Sequence, residues 1–248
     1  MKLAAKTDIG SVRSENQDNY RASQRPGGDA WALVCDGMGG ARGGKIASGI
    51  ACAAVEQWFE QGVDSCAPGQ EKVFLTEALE EANRAVFEKS QAEPRYAGMG
   101  TTAVAALVRT GTVHLCHVGD SRGYLYRGGR LVQLTHDHSY VQELVDSGSI
   151  TPQEAENHPR KNVITRALGV EKTVEPEYTC ASAAAGDIFL LCTDGLTNAV
   201  SKNRIEQLLA SSSVDHAADL LIDAANSFGG PDHITVLLVE IETEDIHG

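Results

Sequence analysis

The order of the predicted elements favours an α+β fold in which two β-sheets pack together and pairs of helices cover their outer faces. Strands open the chain, two helices follow, residues 100–135 are rich in strands, and two further helices precede a last strand. The sequence contains neither an internal repeat nor a low-complexity segment. We therefore expect residues 1–242 to form a single domain and residues 243–248 to form a frayed polar tail.

The first half of the chain alternates short apolar runs with long amphipathic segments. Residues 31–35 form a continuous apolar run that enters a glycine-rich turn, which is typical of a buried strand. Ile46, Ile50 and Ala54 recur every four residues and predict an apolar helix face. Residues 11–18 are too polar for a core strand and predict an ordered loop or strand end with functional groups. The predicted elements are strands at 2–9 and 30–35, a turn at 24–29, and helices at 44–61 and 70–90.

From residue 100 onward the pattern changes to short strands joined by hairpin turns that contain glycine. Thr151 and Glu154 have the spacing of a capping box, with Pro152 at the first helical position. Residues 136–172 hold few large apolar side chains and predict a lid-like insertion rather than a second domain. The predicted strands are 101–109, 112–118, 122–127, 130–134, 174–180, 187–193 and 233–242, and the predicted helices are 139–147, a short one from 151, 202–211 and 215–228.

Composition argues against several classes of protein. The 248 residues carry a net charge of −13 and no basic cluster, which argues against a nucleic-acid partner. The six cysteines include no Cys-x-x-Cys pair, and several lie in apolar runs, as expected for buried thiols in a reducing compartment. Neither an apolar signal segment nor a run of transmembrane length is present. We expect a cytoplasmic protein with no membrane partner.

Four of the predicted buried strands carry an aspartate at one end. Asp36, Asp120 and Asp194 follow strands, and Asp232 precedes the last one. A single Asp-Gly after a strand is more commonly a hairpin turn, but four such aspartates are harder to explain as separate turns. Oxygen ligands suit Mg²⁺ or Mn²⁺, and two or more such ions would remove the repulsion between converging carboxylates. The two interpretations differ in whether the aspartates meet in space.

An ordered series of short motifs resembles the metal-dependent PP2C-type (PPM) family of serine/threonine protein phosphatases in its compact bacterial form. Each motif alone is weak, but the ordered set is specific and spans nearly the whole chain. The motifs are Arg13-Ser-Glu-Asn-Gln-Asp18, Val34-Cys-Asp36-Gly37-Met-Gly-Gly40, Gly100-Thr-Thr102, Val118-Gly-Asp120-Ser-Arg122, Leu134-Thr-His-Asp137-His138-Ser139, Asn162-Val-Ile-Thr-Arg166-Ala-Leu-Gly169, Cys192-Thr-Asp194-Gly195-Leu196 and Gly230-Pro-Asp232-His-Ile-Thr235.

The resemblance implies a four-layer α/β/β/α sandwich of two antiparallel sheets flanked by helix pairs, with a metal channel at one edge. Residues 140–172 would be a flap beside the active site. The implied reaction is hydrolysis of phosphoserine and phosphothreonine on proteins by a hydroxide that bridges two metal ions, Mn²⁺ or Mg²⁺, and it would reverse a serine/threonine kinase. The implied partners are phosphorylated proteins and a cognate kinase, and we expect a monomer.

The same resemblance implies the ligands of the metal ions. Asp36 and the Gly37 carbonyl would bind the central ions, and Asp194 and Asp232 would complete that binuclear centre. Asp120, together with Asp194, would bind a third ion.

Two further residues receive roles from the resemblance. Arg13 would bind the substrate phosphate, in agreement with the fork-shaped donors of a guanidinium. Asp18 would hold metal-bound water from behind the ligands. The alternatives are a solvated surface charge for Arg13 and an ordinary turn cap for Asp18. Arg13, Asp36 and Asp194 are the residues on which we expect catalysis to depend most.

Three positions depart from the family pattern. Ala41 stands where many bacterial relatives have histidine, a candidate general acid for the leaving alcohol, and alanine cannot donate a proton. Either metal-bound water takes that role or turnover of alkyl phosphates is slower. Lys45 stands where glutamate is frequent. His233 stands where asparagine is usual, and we favour a polar substitute over a residue that tunes Asp232.

Two other functions compete with this one. Residues 39–45 nearly spell a Walker A loop, but Ile46 stands where the loop needs serine or threonine. A catalytically weak, phosphoprotein-binding regulatory module of the same fold is the stronger alternative, and Ala41 is its only support. The presence of every metal-binding aspartate together with Arg13 favours the enzyme, because a pure binding module would not need them.

Overall fold

The computed structural model describes residues 1–25 and 28–246, and within them only the backbone of residues 41, 42 and 246. The predicted turn at 24–29 and the end of the predicted tail therefore lie partly outside the described residues. The described strands are β1 Lys2–Asp8, β2 Asp18–Gln24, β3 Ala30–Met38, β4 Gly100–Thr101, β5 Ala103–Arg109, β6 Thr112–Val118, β7 Arg122–Arg127, β8 Arg130–Gln133, β9 Glu177–Ser182, β10 Ile188–Cys192 and β11 Ile234–Glu240. The described α-helices are α1 Gly40–Gly62, α2 Glu71–Ala92, α3 Tyr140–Asp146, α4 Pro152–Glu156, α5 Asp194–Ala199, α6 Lys202–Ser211 and α7 Val214–Ser227.

The strands form two antiparallel sheets, as the sequence predicted. One sheet has the order β1-β11-β10-β7-β8, and the other has the order β2-β3-β5-β6-β9, with β4 paired to β3. Side chains alternate along each strand and reach two different cores. In β3, Leu33 packs toward α1 and α2, whereas Val34 packs between the sheets. In β11, Leu238 packs toward α6 and α7, whereas Leu237 packs between the sheets. Three apolar layers thus hold an α/β/β/α sandwich together.

Several element boundaries differ from the sequence predictions. Strand β2 was not predicted, because it is an edge strand with few buried side chains; the polar loop or strand end expected at residues 11–18 reaches only its first residue. The strand predicted at 101–109 is interrupted at Thr102, whose backbone N–H donates to the Asp36 carbonyl (2.8 Å). Strand β3 continues past residue 35, because Gly37 and Met38 pair with β4. Helix α1 starts at Gly40 instead of 44, and α5 was not predicted at all.

Two segments outside the sandwich are also ordered. The capping box at Thr151 and Glu154 is confirmed. The segment around it is closed at its base, where the Tyr140 N–H donates to the Val163 carbonyl (2.8 Å). Residues 243–246, within the segment predicted as a frayed tail, form a 3₁₀ turn. The Asp245 carboxylate accepts a hydrogen bond from the terminal ammonium at 2.8 Å, which holds this turn against β1. No helix in the described ranges combines the length and the apolar composition needed to cross a membrane.

Candidate active site

A cavity of about 470 Å³ opens where β3, β6 and β10 end and β11 begins. Its lining includes the predicted phosphate-binding residue and all the predicted metal ligands, Arg13, Asp36, Gly37, Asp120, Asp194 and Asp232. Asp18 is not part of the lining and stands behind it, opposite Asp36 in the register of β2 and β3. The strand-end aspartates therefore meet in space, and the interpretation of four separate turns is excluded.

Asp36 and Gly37 are fixed by the backbone of neighbouring segments. The Asp36 N–H donates to the Thr102 hydroxyl at 3.0 Å, and the Asp36 carbonyl accepts from the Thr102 N–H. A Cβ on Gly37 would lie 2.1 Å from the Gly44 carbonyl oxygen and 2.7 Å from that of Gln17. Only glycine fits this crossing, so the chain places the backbone of Gly37 and the carboxylate of Asp36 together at the cavity.

Asp194 and Asp232 approach the cavity from the other sheet. Asp194 is the first residue of α5, and its carboxylate accepts a hydrogen bond from the Asn198 amide at 2.9 Å. A Cβ on Gly195 would lie 1.8 Å from the His233 carbonyl oxygen, so the two segments touch through their backbones. The Asp232 carboxylate accepts from the His233 N–H at 2.9 Å. An amide side chain thus orients Asp194, and a backbone N–H contributes to the orientation of Asp232.

Asp120 follows β6 through a turn at Gly119, whose φ of +104° suits glycine. His138 braces this turn twice: its N–H donates to the Gly119 carbonyl at 3.0 Å, and its Nδ1 accepts from the Gly119 N–H at 3.2 Å. Just beyond it, the Arg122 guanidinium donates to the buried Asp137 carboxylate at 2.6 Å. The position of Asp120 therefore depends on the segment that precedes the predicted flap.

Asp18 is held from one side only. Its Oδ2 accepts hydrogen bonds from the hydroxyls of Thr193 (2.9 Å) and Thr235 (2.6 Å). Its Oδ1 is buried and has no hydrogen-bond partner within the described part of the chain. Burial raises the pKa of Asp18 to about 7, and the charge of Asp194 adds to the rise. The free oxygen of a buried carboxylate is what a site for a cation or an ordered water requires.

Burial and, after it, mutual repulsion of the carboxylates govern the electrostatics of the cavity. Burial, followed by the charges of the other aspartates, raises the pKa of Asp36 well above its ordinary value. Burial and Asp194 raise the pKa of Asp120 to about 7, and burial and Asp232 raise the pKa of Asp194. Divalent cations would offset this repulsion. The donors are oxygens of carboxylates and a backbone carbonyl, so the chemistry of the site fits Mg²⁺ or Mn²⁺.

Arg13 lies at the mouth of the cavity. Its Nη2 donates to Asp232 Oδ2 at 2.7 Å, and 51% of its side chain remains exposed. This ion pair raises the pKa of the guanidinium. The position excludes a purely solvated surface charge, because the guanidinium faces the aspartates and still offers donors to the cavity.

Other cavity residues received no role from the sequence. Thr102, Asn162 and Ile164 line the cavity, and all three lie in motifs quoted above for the family resemblance. Lys45 is not part of the lining. Its Nζ donates a hydrogen bond at 3.0 Å to the carboxylate of Glu15, a residue that does line the cavity. Ala41 lies in the first turn of α1, and its side chain is outside the described part of the structure.

Comparison with known proteins identifies the family. The family model described as protein phosphatase 2C matches residues 11–223. The serine/threonine phosphatase stp of Listeria monocytogenes serotype 4b is 41% identical over 241 residues, which cover 97% of this chain and 96% of that protein. The serine/threonine protein phosphatase PstP of Mycobacterium tuberculosis is 40% identical over 99% of this chain, and the match covers 46% of PstP.

Solved structures agree with these matches. The catalytic domain of a serine/threonine protein phosphatase PstP in complex with two manganese ions superposes with a TM-score of 0.86 and 38% identity, covering 97% of this chain and 98% of the other. Stp1 from Staphylococcus aureus superposes with a TM-score of 0.92 and 33% identity, covering 97% and 95%. The sandwich, the aspartate-lined cavity and these matches lead to one conclusion: the chain belongs to the protein phosphatase 2C family of serine/threonine phosphatases.

Proposed function

We propose that this phosphatase hydrolyses phosphoserine and phosphothreonine on proteins at the aspartate-lined cavity and thereby reverses a serine/threonine kinase. The observation that supports this site is the convergence of Asp36, Asp120, Asp194 and Asp232 beside Arg13. When bound there, Mn²⁺ or Mg²⁺ would activate water and neutralise the oxygens of the phosphoryl group. The manganese-bound PstP structure supports the choice of metal.

The residue roles follow from the positions around the cavity. Asp36 and the Gly37 carbonyl would hold the two central ions, and Asp194 and Asp232 would complete their ligands. Asp120 would hold a third ion together with Asp194, and the charge of Asp194 already raises the pKa of Asp120. Both residues line the same cavity, which supports the third site.

Arg13 would bind the phosphate of the substrate. In the structure its guanidinium is paired with Asp232, and a cation held by that carboxylate would compete for the same charge. Loading the site with metal would therefore free guanidinium donors for phosphate oxygens. Because the ion pair is half exposed, it costs little to rearrange.

Asp18 would position a water molecule beside the metal site. Two threonine hydroxyls occupy its Oδ2, and its Oδ1 is left free. Since Asp18 lies behind the cavity lining, its role would be to orient other groups, whereas the lining residues contact the ions or the phosphate.

Residues 140–172 would act as the flap that contacts the protein around the phosphorylated residue. Asn162 and Ile164 bring this segment to the cavity. We further propose that one domain, residues 1–242, is sufficient for catalysis, and that the enzyme acts as a monomer in the cytoplasm opposite a cognate kinase.

Phosphate release from a phosphothreonine peptide, measured with Mn²⁺ and with EDTA beside an aryl phosphate, tests the proposal. Release from both substrates with Mn²⁺, and from neither with EDTA, is the expected result. Release from the aryl phosphate alone would show an intact centre that lacks acid assistance, in line with Ala41, or lacks peptide recognition. Release from neither substrate would favour the regulatory binding module instead.

A further inference from the structure

One histidine at the edge of the carboxylate cluster is more than a polar neighbour. His233 lines the cavity and is only 5% exposed. Its Nδ1 has no hydrogen-bond partner among the residues that the structure describes, and the same is true of Asp18 Oδ1. Two buried polar atoms without partners are costly, and here they lie 3.8 Å apart.

The spacing of the potential donors fits one ion. Single ligand atoms of Asp18, Asp36 and His233 lie within 4.8 Å of one another. His233 Nδ1 lies 3.2 Å from Asp232 Oδ1 and 3.8 Å from Asp18 Oδ1. Around an octahedral ion with metal–donor distances of about 2.1 Å, adjacent donors are about 3 Å apart and opposite donors about 4.2 Å. The observed distances lie between these values or close to them.

The ring of His233 also has a nitrogen available to a metal. Its Nδ1 is buried without a hydrogen-bond partner among the described residues, and it faces the carboxylates of Asp232 and Asp18. A histidine that ligates a metal binds it through one ring nitrogen, while the other nitrogen is free to contact the protein.

A second group of potential ligands lacks this arrangement. Ligand atoms of His117, His138 and Glu177 also lie within 4.8 Å of one another. However, the two imidazole rings stack with their planes only 16° apart, so their in-plane lone pairs do not converge. The Arg166 guanidinium also contacts His138 Nε2 at 3.4 Å and would repel a cation. The Nδ1 of His233 instead faces two carboxylates, and the guanidinium near it, that of Arg13, is already paired with Asp232 at 2.7 Å.

We propose that His233 supplies a nitrogen ligand to a metal ion that it shares with Asp36 and that lies beside Asp18 and Asp232, and that this nitrogen shifts the preference of the site from Mg²⁺ toward Mn²⁺ and similar transition-metal ions. The inference rests on the proposed function, since it concerns the same carboxylates. Mg²⁺ strongly favours oxygen ligands, whereas imidazole suits transition metals. The interpretation of His233 as a polar substitute for asparagine is replaced by that of a residue that sets metal specificity.

Pulsed electron paramagnetic resonance of the Mn²⁺-loaded protein tests the direct bond. We expect nitrogen modulation from a coordinated imidazole in the wild type and its loss in His233→Asn. The matched control is His114→Asn: it removes a histidine at the opposite end of β6, whose Nδ1 is bonded to the Tyr178 hydroxyl, and it should keep the signal. No nitrogen modulation in the wild type, or modulation that persists in His233→Asn, would overturn the proposal.

Calorimetric titration with Mg²⁺ and with Mn²⁺ tests the specificity. We expect the ratio of the two dissociation constants to change by about tenfold toward Mg²⁺ in His233→Asn, the scale typical of altered metal surroundings. An unchanged ratio in a folded variant would overturn the specificity claim, and His233→Gln provides a second variant should the first unfold. If the wild type binds neither ion, the proposed metal site itself fails. If it binds Mn²⁺ and is active without nitrogen modulation, only this inference fails.

Discussion

Metal removal should make the stability of this enzyme fall as the pH rises. Burial, with the charge of Asp194, raises the pKa of Asp18 from 3.8 to about 7. An acid with a raised pKa binds its proton more tightly when folded, so its stability is full below the unfolded pKa and is lost as the pH rises to the folded pKa. About three pKa units correspond to ~4 kcal/mol, of which about 3 kcal/mol falls above pH 5.

Urea unfolding in EDTA at pH 5 and pH 8 measures this loss. Asp18→Asn is the comparison, because the amide oxygen can still accept from the hydroxyls of Thr193 and Thr235 while the charge is removed. We expect the metal-free wild type to lose about 3 kcal/mol more than the variant between the two pH values. Adding Mn²⁺ should stabilise the wild type more at pH 8 than at pH 5, because binding to the folded state adds stability by mass action. Equal pH dependence in both proteins would refute the reasoning.

Four further variants test the proposed roles and the close backbone contact at Gly195. Asp36→Asn or Asp194→Asn should abolish phosphate release from a phosphothreonine peptide in a protein with unchanged circular dichroism, and near-wild-type activity would contradict the metal assignment. Arg13→Ala should mainly raise KM in the same assay, because it removes donors to the phosphate; a loss confined to kcat would argue for a different role. Gly195→Ala should lower the free energy of unfolding by about 1–3 kcal/mol in urea titration, because the added Cβ would lie 1.8 Å from the His233 carbonyl oxygen. Unchanged stability there would mean that the two segments separate easily.

The sequence predicted those elements whose buried side chains form a clear apolar pattern along the chain. Strand β10 is fully buried and α7 has a continuous apolar face, so both were predicted to within two residues of their observed ends. Strand β2 was not predicted because only its first residue, Asp18, is buried. Helix α5 has six residues, which is too short for a helical period to be recognised.

The sequence predicted which residues form the candidate site, but it did not predict their arrangement in space. Local sequence patterns placed Asp36 and Asp194 at the ends of buried strands. These two strands, β3 and β10, belong to different sheets. Their meeting depends on how the two sheets pack, which no local pattern encodes. The sequence also does not show the hydrogen-bond partners of each side chain. Asp18 Oδ2 accepts from two threonine hydroxyls, whereas Oδ1 has no partner among the described residues. The metal-facing lone pair of His233 is inferred only from such details.

Packing constrains the carboxylate cluster more tightly than the exposed rim of the cavity, which includes Glu15 and its partner Lys45. Gly37 and Gly195 have no room for a Cβ, so the strand ends that carry Asp36 and Asp194 tolerate little change. Lys45, by contrast, is 55% exposed, and its ion pair with Glu15 joins α1 to the loop that precedes β2. Exposed pairs of this kind contribute about 0–1 kcal/mol, so the rim can change without loss of the fold. The departure at Lys45 therefore lies on the tolerant rim and leaves the proposed metal-binding carboxylates in place.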